Sequence, residues 1–405
     1  MNEVASWQSD ILGPGYEMMT LGMGRDYEGE VIATLVRRQS DLEGRRAVLY
    51  VHGYNDYFFQ KHLADFYTSL GITFYALDLR KYGRSLLPHQ TANLCRSVQE
   101  YYPEIDIAVD IIKRDGHEMV LVSGHSTGGL IVSLWADEGN NRDRVGALIL
   151  NSPNLSSGAP VAARFTIDPV CRMIARRNPA AAFPLRLSPR YARSLHRCYQ
   201  GEWDFNTAWK SVNGTLLMPA WLASIHQGQR RVRKGLCIRV PVLVLCGTAS
   251  GNRKTPSSDL LAADIVLDVR QIAQLSTKLS QNVTCIRIAG AIHDVFLSPL
   301  AVRHRAFGEL SNWLGAYAPD PRDFQCRRLP VLSGESSAAP PPAPSAPSAP
   351  DRIRGRDRFV LVFVRLVSVY TRPEAGARWV HPPGASAGRR LAPGQTITPT
   401  GEGTR

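Results

Sequence analysis

Two pentapeptides in the chain match the pattern G-x-S-x-G, in which a serine can act as a nucleophile. The first is Gly-His-Ser-Thr-Gly at 124–128, and the second lies at 384–388 with Ser386 at its centre. An apolar run precedes the first match and another follows it, which is typical of a strand that turns sharply into a helix. The second match has neither run, so Ser126 is the candidate nucleophile and Ser386 is not.

Sterics explain why glycine is found at both Gly124 and Gly128 in the first match. In so tight a turn, Cβ atoms two residues either side of the serine would collide. A helix that begins after Ser126 also points its backbone N–H groups at the site, which favours negative charge that develops there. His125 is expected to point away from the site. The alternative interpretation is an ordinary strand-helix turn in which Ser126 only caps the helix.

Short apolar runs recur through the first 300 residues and predict strands that are buried on both faces of a parallel sheet. Strands are predicted at 47–51, 72–77, 119–123, 145–150, 240–246 and 283–289. Helices are predicted at 60–70, 102–115, 129–138, 269–279 and 300–317. This alternation indicates an α/β doubly wound domain, preceded by an antiparallel hairpin at 16–23 and 30–38.

One interval between two predicted strands is much longer than a crossover helix requires. Residues 153–239 contain helix-like stretches at 169–177 and 189–199, and they indicate an inserted helical cap. Composition then divides the chain into a core at 1–152 and 240–318, the cap, a Pro/Ala/Ser-rich linker at 319–350 and an Arg-rich, disordered tail at 351–405.

The positive charge of the chain, formally +13, is concentrated in the cap and the tail. Residues 153–239 hold twelve Arg and two Lys against three acids, which gives +11. Such a cap could draw anionic lipid or a phospholipid surface to the entrance of a site. The alternative is a solvated basic face that only aids solubility. We expect no specific nucleic-acid partner.

The sequence shows no phosphate loop, dinucleotide fingerprint or metal-ligand cluster, so no cofactor and no metal are expected. The seven cysteines are scattered and form no C-x-x-C pair, which argues against a disulfide framework and against a zinc ribbon. No signal peptide is visible, and the most apolar run, 359–370, is too short to cross a bilayer. We therefore expect a cytoplasmic protein.

Four blocks of the chain together resemble the α/β-hydrolase superfamily, most closely its serine aminopeptidase S33, monoacylglycerol lipase and lysophospholipase branch. They are Val-Leu-Tyr-Val-His-Gly at 48–53, Asp-Leu-Arg-Lys-Tyr-Gly-Arg-Ser at 78–85, the turn at Ser126, and Gly-Ala-Ile-His-Asp at 290–294. The blocks follow the family's chain order. The resemblance implies a mostly parallel central sheet with helices on both faces, an inserted helical cap, and a serine hydrolase.

The resemblance also implies roles for single residues. His52-Gly53 after a strand is the family's oxyanion-loop signature, so the backbone N–H groups of Tyr54 and Thr127 would bind the oxyanion. His52 itself is expected to brace the loop. His293 follows the last predicted strand and a Gly-Ala turn, where related hydrolases place the histidine that acts as general base.

The acid of the triad departs from the family's pattern. Relatives place Asp shortly after the strand before the last, in a pattern like G-S-A-D, whereas here Ser250 follows Gly-Thr-Ala. Lipase-like relatives often have a second Asp four residues after the catalytic one, and Asp264 and Asp268 have that spacing. We expect Asp264 as the acid and Asp268 as the N-cap of the next helix, with Asp268 the second choice for the acid and Asp259 the third.

The resemblance thus implies hydrolysis of carboxylic esters by a Ser-His-Asp triad through an acyl-enzyme. The expected substrate is a small-molecule acyl ester such as a lysophospholipid or a monoacylglycerol. Apolar cap residues such as Phe183, Leu217 and Trp221 could line an acyl channel, and the alternative is that most of them only pack the cap onto the sheet. Two alternatives are the same triad acting on peptide, thioester or acyl-transfer substrates, and a degenerate fold that only binds partners.

Overall fold

The core of the protein is one sheet, seen in a computed structural model that describes residues 6–42, 44–156, 161–183, 187–251 and 258–320. All described residues belong to one compact unit. In these ranges the strands are β1 (Gln8–Ser9), β2 (Glu17–Asp26), β3 (Gly29–Arg38), β4 (Arg46–Val51), β5 (Ile72–Asp78), β6 (Met119–His125), β7 (Ala147–Asn151), β8 (Val242–Gly247) and β9 (Val283–Ile288).

Helices connect the strands and also form the interval between β7 and β8. Within the described ranges they are α1 (Lys61–Ser69), α2 (Tyr102–Arg114), α3 (Thr127–Glu138), α4 (Val161–Arg177), α5 (Arg190–Leu195), α6 (Pro219–Lys234), α7 (Val269–Ser276) and α8 (Leu300–Tyr317). The three helices between β7 and β8, α4, α5 and α6, belong to the predicted cap.

The strands lie in the order β1-β2-β3-β5-β4-β6-β7-β8-β9. The pairs from β5 to β9 are parallel, whereas β1, β2 and β3 pair antiparallel and form the predicted hairpin edge. One buried cluster joins the sheet to α1 and α8, and a second joins its other face to α2, α3 and α7. The predicted α/β fold class is confirmed, with a mostly parallel sheet between two layers of helices.

Most predicted elements are present with bounds shifted by one or two residues, but the burial of the last strand is predicted wrongly. In β9, Cys285 and Arg287 are exposed and only Ile288 is fully buried. Since β9 pairs only with β8 among the described residues, it is an edge strand. An edge strand can face solvent, so its apolar residues do not report burial on both faces.

The cap helices differ more from the prediction. Helix α4 begins at Val161, eight residues before the predicted start at Pro169, because this proline lies inside the helix rather than in its first turn. The sequence prediction missed α6 altogether. Its signal is present, since Pro219 lies at the start and Trp221, Ile225 and Val232 recur on one buried face.

Several predictions fall on residues outside the description. They are the tail at 351–405 with Ser386, the linker at 319–350 apart from Pro319 and Asp320, and most of the loop after β8, 252–257. Among the described helices, none combines the length and the apolar character that a membrane span needs.

Candidate active site

Ser126 lies at the turn between β6 and α3, in a backbone conformation that few non-glycine residues adopt. Its φ is 52° and its ψ is −116°. Both backbone polar groups of Ser126 are hydrogen-bonded. Its N–H donates to the carbonyl of Asn151 at 3.0 Å, and its carbonyl accepts from the N–H of Asn154 at 2.8 Å. Strain of this kind persists only where the surrounding structure enforces it, and it is common at functional sites.

The two glycines of the turn are required by different neighbours. A Cβ on Gly124 would lie 2.6 Å from Cγ2 of Val132 and 2.8 Å from the carbonyl oxygen of Gly128, across the turn. A Cβ on Gly128 would instead collide with the carbonyl oxygens of Val51 and His52, at the end of β4. The second glycine therefore lets the nucleophile turn approach the neighbouring strand, a reason beyond the collision predicted from the sequence.

Three of the predicted site residues form one continuous chain of hydrogen bonds. His293 Nε2 lies 2.9 Å from Ser126 Oγ, and His293 Nδ1 lies 2.9 Å from Asp264 Oδ2. All three side chains are buried. A carboxylate at Nδ1 requires the proton on that nitrogen, so Nε2 is left to accept the serine proton.

The charge of Asp264 is held by its surroundings. Burial is the largest single effect and would raise the pKa of this carboxyl, but the charge of protonated His293, its hydrogen bond and two backbone donors together hold the pKa below its usual value. The two donors are the backbone N–H groups of Val266 and Leu267, which donate to Oδ1 at 2.7 and 2.8 Å. Asp264 is therefore ionised near neutral pH and can stabilise a protonated His293.

The loop after β8 returns Asp264 to the end of that strand. The Asp264 N–H donates to the carbonyl of Ala249 at 3.0 Å, and the Gly251 N–H donates to the carbonyl of Asp264 at 2.8 Å. Ser250 and Asp264 thus form an isolated parallel bridge. These contacts explain how the acid can lie fourteen positions after Ser250 in the sequence and still lie beside His293.

Asp268, the second candidate acid, has a different role. Asp268 is the N-cap of α7, as predicted, and its carboxylate accepts from the N–H groups of Arg270 and Gln271. Asp259 lies in the turn Ser258–Leu261, and its side chain is outside the description. Among the described carboxylates, Asp264 is the one bonded to His293.

Two segments that carry the predicted oxyanion donors lie next to the nucleophile. Thr127 is the first residue of α3, so its N–H has no acceptor within the helix. Gly53, just before Tyr54, runs so close that a Cβ on it would lie 3.2 Å from Cβ of Ser126. The start of α3 and the loop after β4 therefore flank Ser126.

His52 and Asp78 brace this loop. The Leu79 N–H donates to His52 Nε2 at 3.1 Å, so the proton of the ring is on Nδ1, which donates to the carbonyl of Gly53 at 2.7 Å. Asp78 accepts from the Phe58 N–H at 2.9 Å. The bracing role predicted for His52 is confirmed.

The prediction that His125 points away from the site is wrong. Its ring lies 4.9 Å from the ring of His293, and Nδ1 lies 3.2 Å from the carbonyl of Asn151. Burial lowers the pKa of His125, so this ring is neutral beside His293. His125 is the last residue of β6, and its contact with the carbonyl of Asn151 at the end of β7 holds the ring there.

Sequence reasoning missed two further residues around His293. Asp294 is buried and accepts from the side-chain amide of Asn151 at 2.7 Å. Tyr191 of α5 packs its ring 5.3 Å from that of His293, and its hydroxyl accepts from the Asp294 N–H at 2.9 Å. Asp294 was at least visible in the block at 290–294, whereas no pattern in the cap sequence distinguishes Tyr191.

The chain was compared with known proteins. A family model described as serine aminopeptidase, S33, matches residues 43–299. The chain belongs to this family of hydrolases. No curated protein sequence matches the chain. Within the described residues, no group of three or more His, Cys, Asp or Glu could hold a metal ion.

Solved structures of two lipases have the same fold. A monoacylglycerol lipase from Paleococcus ferrophilus is 20% identical, with a TM-score of 0.53 over 70% of this chain and 99% of that one. A soluble variant of the monoglyceride lipase from Saccharomyces cerevisiae, in complex with a substrate analog, is 15% identical, with a TM-score of 0.54 over 74% and 97%. The family and the fold make this protein an α/β hydrolase.

Proposed function

We propose that the protein is a serine hydrolase that cleaves carboxylic esters through an acyl-enzyme. The observation that carries the proposal is the unbroken chain from Ser126 Oγ to His293 and on to Asp264, with 2.9 Å at each step. A nucleophile, a base and an acid that orients the base are what acyl transfer to serine needs.

In the proposed mechanism, Ser126 Oγ attacks the ester carbon while His293 Nε2 takes the hydroxyl proton. The oxyanion that forms accepts hydrogen bonds from the N–H groups of Tyr54 and Thr127. His293 then gives its proton to the leaving alcohol. In the second half of the reaction water attacks the acyl-enzyme while His293 takes a proton from it, and His293 returns this proton to Ser126 Oγ as the carboxylic acid leaves. Asp264 remains ionised throughout and stabilises the imidazolium form of His293.

We propose an apolar acyl group in the substrate because the cap residues beside the oxyanion loop are apolar. Leu217, Met218 and Trp221 are buried in the same cluster as the core, and Trp221 lies directly against Tyr54. Phe183 packs against that cluster. Together with the lipase-like fold, this composition favours small-molecule acyl esters, with monoacylglycerols and lysophospholipids as the substrates we propose.

Most of the cap's described ion pairs use its positive charge internally or against the core. Four cap arginines form such pairs: Arg230 with Asp168, Arg231 with Asp137 and Glu138, Arg239 with Asp143, and Arg197 with Asp204. Arg172, Arg176 and Arg177 near the end of α4 are exposed and have no ion pair to residues that the structure describes. We propose that any contact with anionic lipid is made here, which sedimentation with phosphatidylserine vesicles tests.

Kinetics on p-nitrophenyl esters of increasing chain length test the proposed activity. We expect turnover by the full chain, loss of turnover in Ser126→Ala, and unchanged turnover in Ser386→Ala, which is the matched control from the second G-x-S-x-G pentapeptide. Equal loss in both variants, or no turnover of any ester by the wild type, would exclude the proposal. Turnover of aminoacyl anilides with no ester turnover would move the same site to peptide chemistry.

A further inference from the structure

Four consecutive residues that begin with Tyr54, which we call the oxyanion loop, are bonded along their length to the cap. The Tyr54 hydroxyl donates to the carbonyl of Leu216 at 3.2 Å, and the centroid of its ring lies 4.0 Å from that of Trp221. At the other end, the N–H of Asn206 donates to the hydroxyl of Tyr57 at 2.7 Å. Both ends of the oxyanion loop therefore lie against the cap.

The two middle residues of the oxyanion loop make the more specific contacts. The side chain of Asn55, whose φ of 53° is in the left-handed region, exchanges two hydrogen bonds with the backbone of Ser211, at 3.1 and 3.0 Å. Asp56 Oδ1 lies 2.6 Å from Lys210 Nζ. These bonds come from neighbouring cap residues, so they fix the oxyanion loop in both position and orientation.

The Asp56–Lys210 pair is buried, since its side chains are 3% and 5% exposed. The ammonium of Lys210 lies 5.5 Å from the ring of Phe59 and 5.7 Å from that of Phe205. In surroundings of this kind a charge needs a nearby partner, because water cannot replace that partner. The pair therefore resists any displacement of the loop from the cap.

The cap also holds the other two parts of the site. Tyr191 packs its ring on His293, as described above. Gln229 of α6 donates to Asn154 Oδ1 at 2.8 Å, and the N–H of Asn154 donates to the carbonyl of Ser126. The oxyanion loop, His293 and Ser126 thus each contact the cap directly or through one intervening residue.

We propose that Asp56 and Lys210 are positioning residues of the oxyanion hole, through which the seating of the cap controls stabilisation of the transition state. Asp56 lies two residues after Tyr54, so a shift of its carboxylate moves the Tyr54 N–H relative to Ser126. A donor must lie about 2.7–3.1 Å from the oxyanion to stabilise it, and a displacement of about 1 Å can cost about 10²-fold in rate. The inference rests on the proposed function.

The test compares Lys210→Met, Asp56→Asn and the double variant in the full chain. The double variant leaves neither Asp56 nor Lys210 as an unpaired buried charge, so we expect it to fold even if the single variants do not. We expect its kcat for a p-nitrophenyl ester to fall about 10- to 100-fold with KM changed less than about threefold, because only the transition state needs the oxyanion donors. Arg231→Met is the matched control, since it breaks a pair between cap and core away from the oxyanion loop.

Hydrogen exchange of the peptide that covers 54–57 gives a second result that does not depend on turnover. We expect faster exchange in the double variant and wild-type exchange in Arg231→Met. Unchanged exchange in the double variant would overturn the inference, and so would faster exchange with wild-type kcat. A wild type without ester turnover would count against the proposed function alone, and exchange would still decide whether the pair holds the loop.

Discussion

Replacing Asp264 by asparagine removes the charge of the acid and keeps its shape. The N–H groups of Val266 and Leu267 donate to Oδ1 at 2.7 and 2.8 Å, so the amide oxygen must occupy that position in the variant. The amide nitrogen then faces His293 Nδ1 and donates to it. This bond places the ring proton on Nε2, so Nε2 can no longer accept the proton of Ser126.

The expected effect follows from that tautomer. A histidine that cannot act as base costs about 10⁴-fold in kcat, or about 5.4 kcal/mol of transition-state stabilisation. The assay is steady-state hydrolysis of a p-nitrophenyl ester at neutral pH. Asp268→Asn is the control, because asparagine is as good an N-cap as aspartate, and its kcat should stay within about twofold of wild type.

Two results would refute the reasoning. Asp264→Asn could keep kcat within about tenfold of wild type, which would mean that the hydrogen bond of Asp264 to His293 does not set the tautomer. Asp268→Asn could lose as much activity as Asp264→Asn, which would transfer the acid role to Asp268.

Four further predictions follow from the structure. Asp268→Ala should lower the free energy of unfolding by about 1 kcal/mol in urea titrations with little change in kcat, because α7 loses its cap. Gly128→Ala should cost more than about 2 kcal/mol, since its Cβ meets backbone that cannot move aside. The pKa of Asp264 is lowered in the folded protein, so its ionisation stabilises the fold above about pH 4, the ordinary aspartate pKa. This stabilisation is lost as the pH falls through the pKa of Asp264 in the folded protein. Wild type should therefore lose more stability than Asp264→Asn between about pH 5 and about pH 3. Truncation after residue 333 should leave kcat unchanged.

The parts of the site that sequence could predict are those coded by neighbouring residues. The turn at Ser126 is recognisable because two glycines and two apolar runs surround it within a few positions. Asp268 is recognisable as an N-cap because the helix begins at the next residue. Asp264 could be predicted only from the Asp spacing of the family it resembles, since its contact with His293 depends on its pairing with Ser250, far back in the sequence.

The parts that sequence could not predict depend on contacts between distant segments. Asp56 and Lys210 are 154 positions apart, and each is an ordinary charged residue in its own neighbourhood. Tyr191 lies in a six-residue helix without a clear periodic pattern. His125 was misplaced because its ring contacts the carbonyl of Asn151 on the neighbouring strand, 26 positions later.

Fluorophosphonate labelling followed by peptide mapping tests the central claim most directly, because the probe reports a reactive serine without requiring the natural substrate. The account predicts one modified residue, Ser126, in the wild type. It also predicts much slower labelling in a His293→Ala variant, in which the serine has lost its base. Labelling at another serine, or labelling of Ser126 at the same rate without His293, would contradict it.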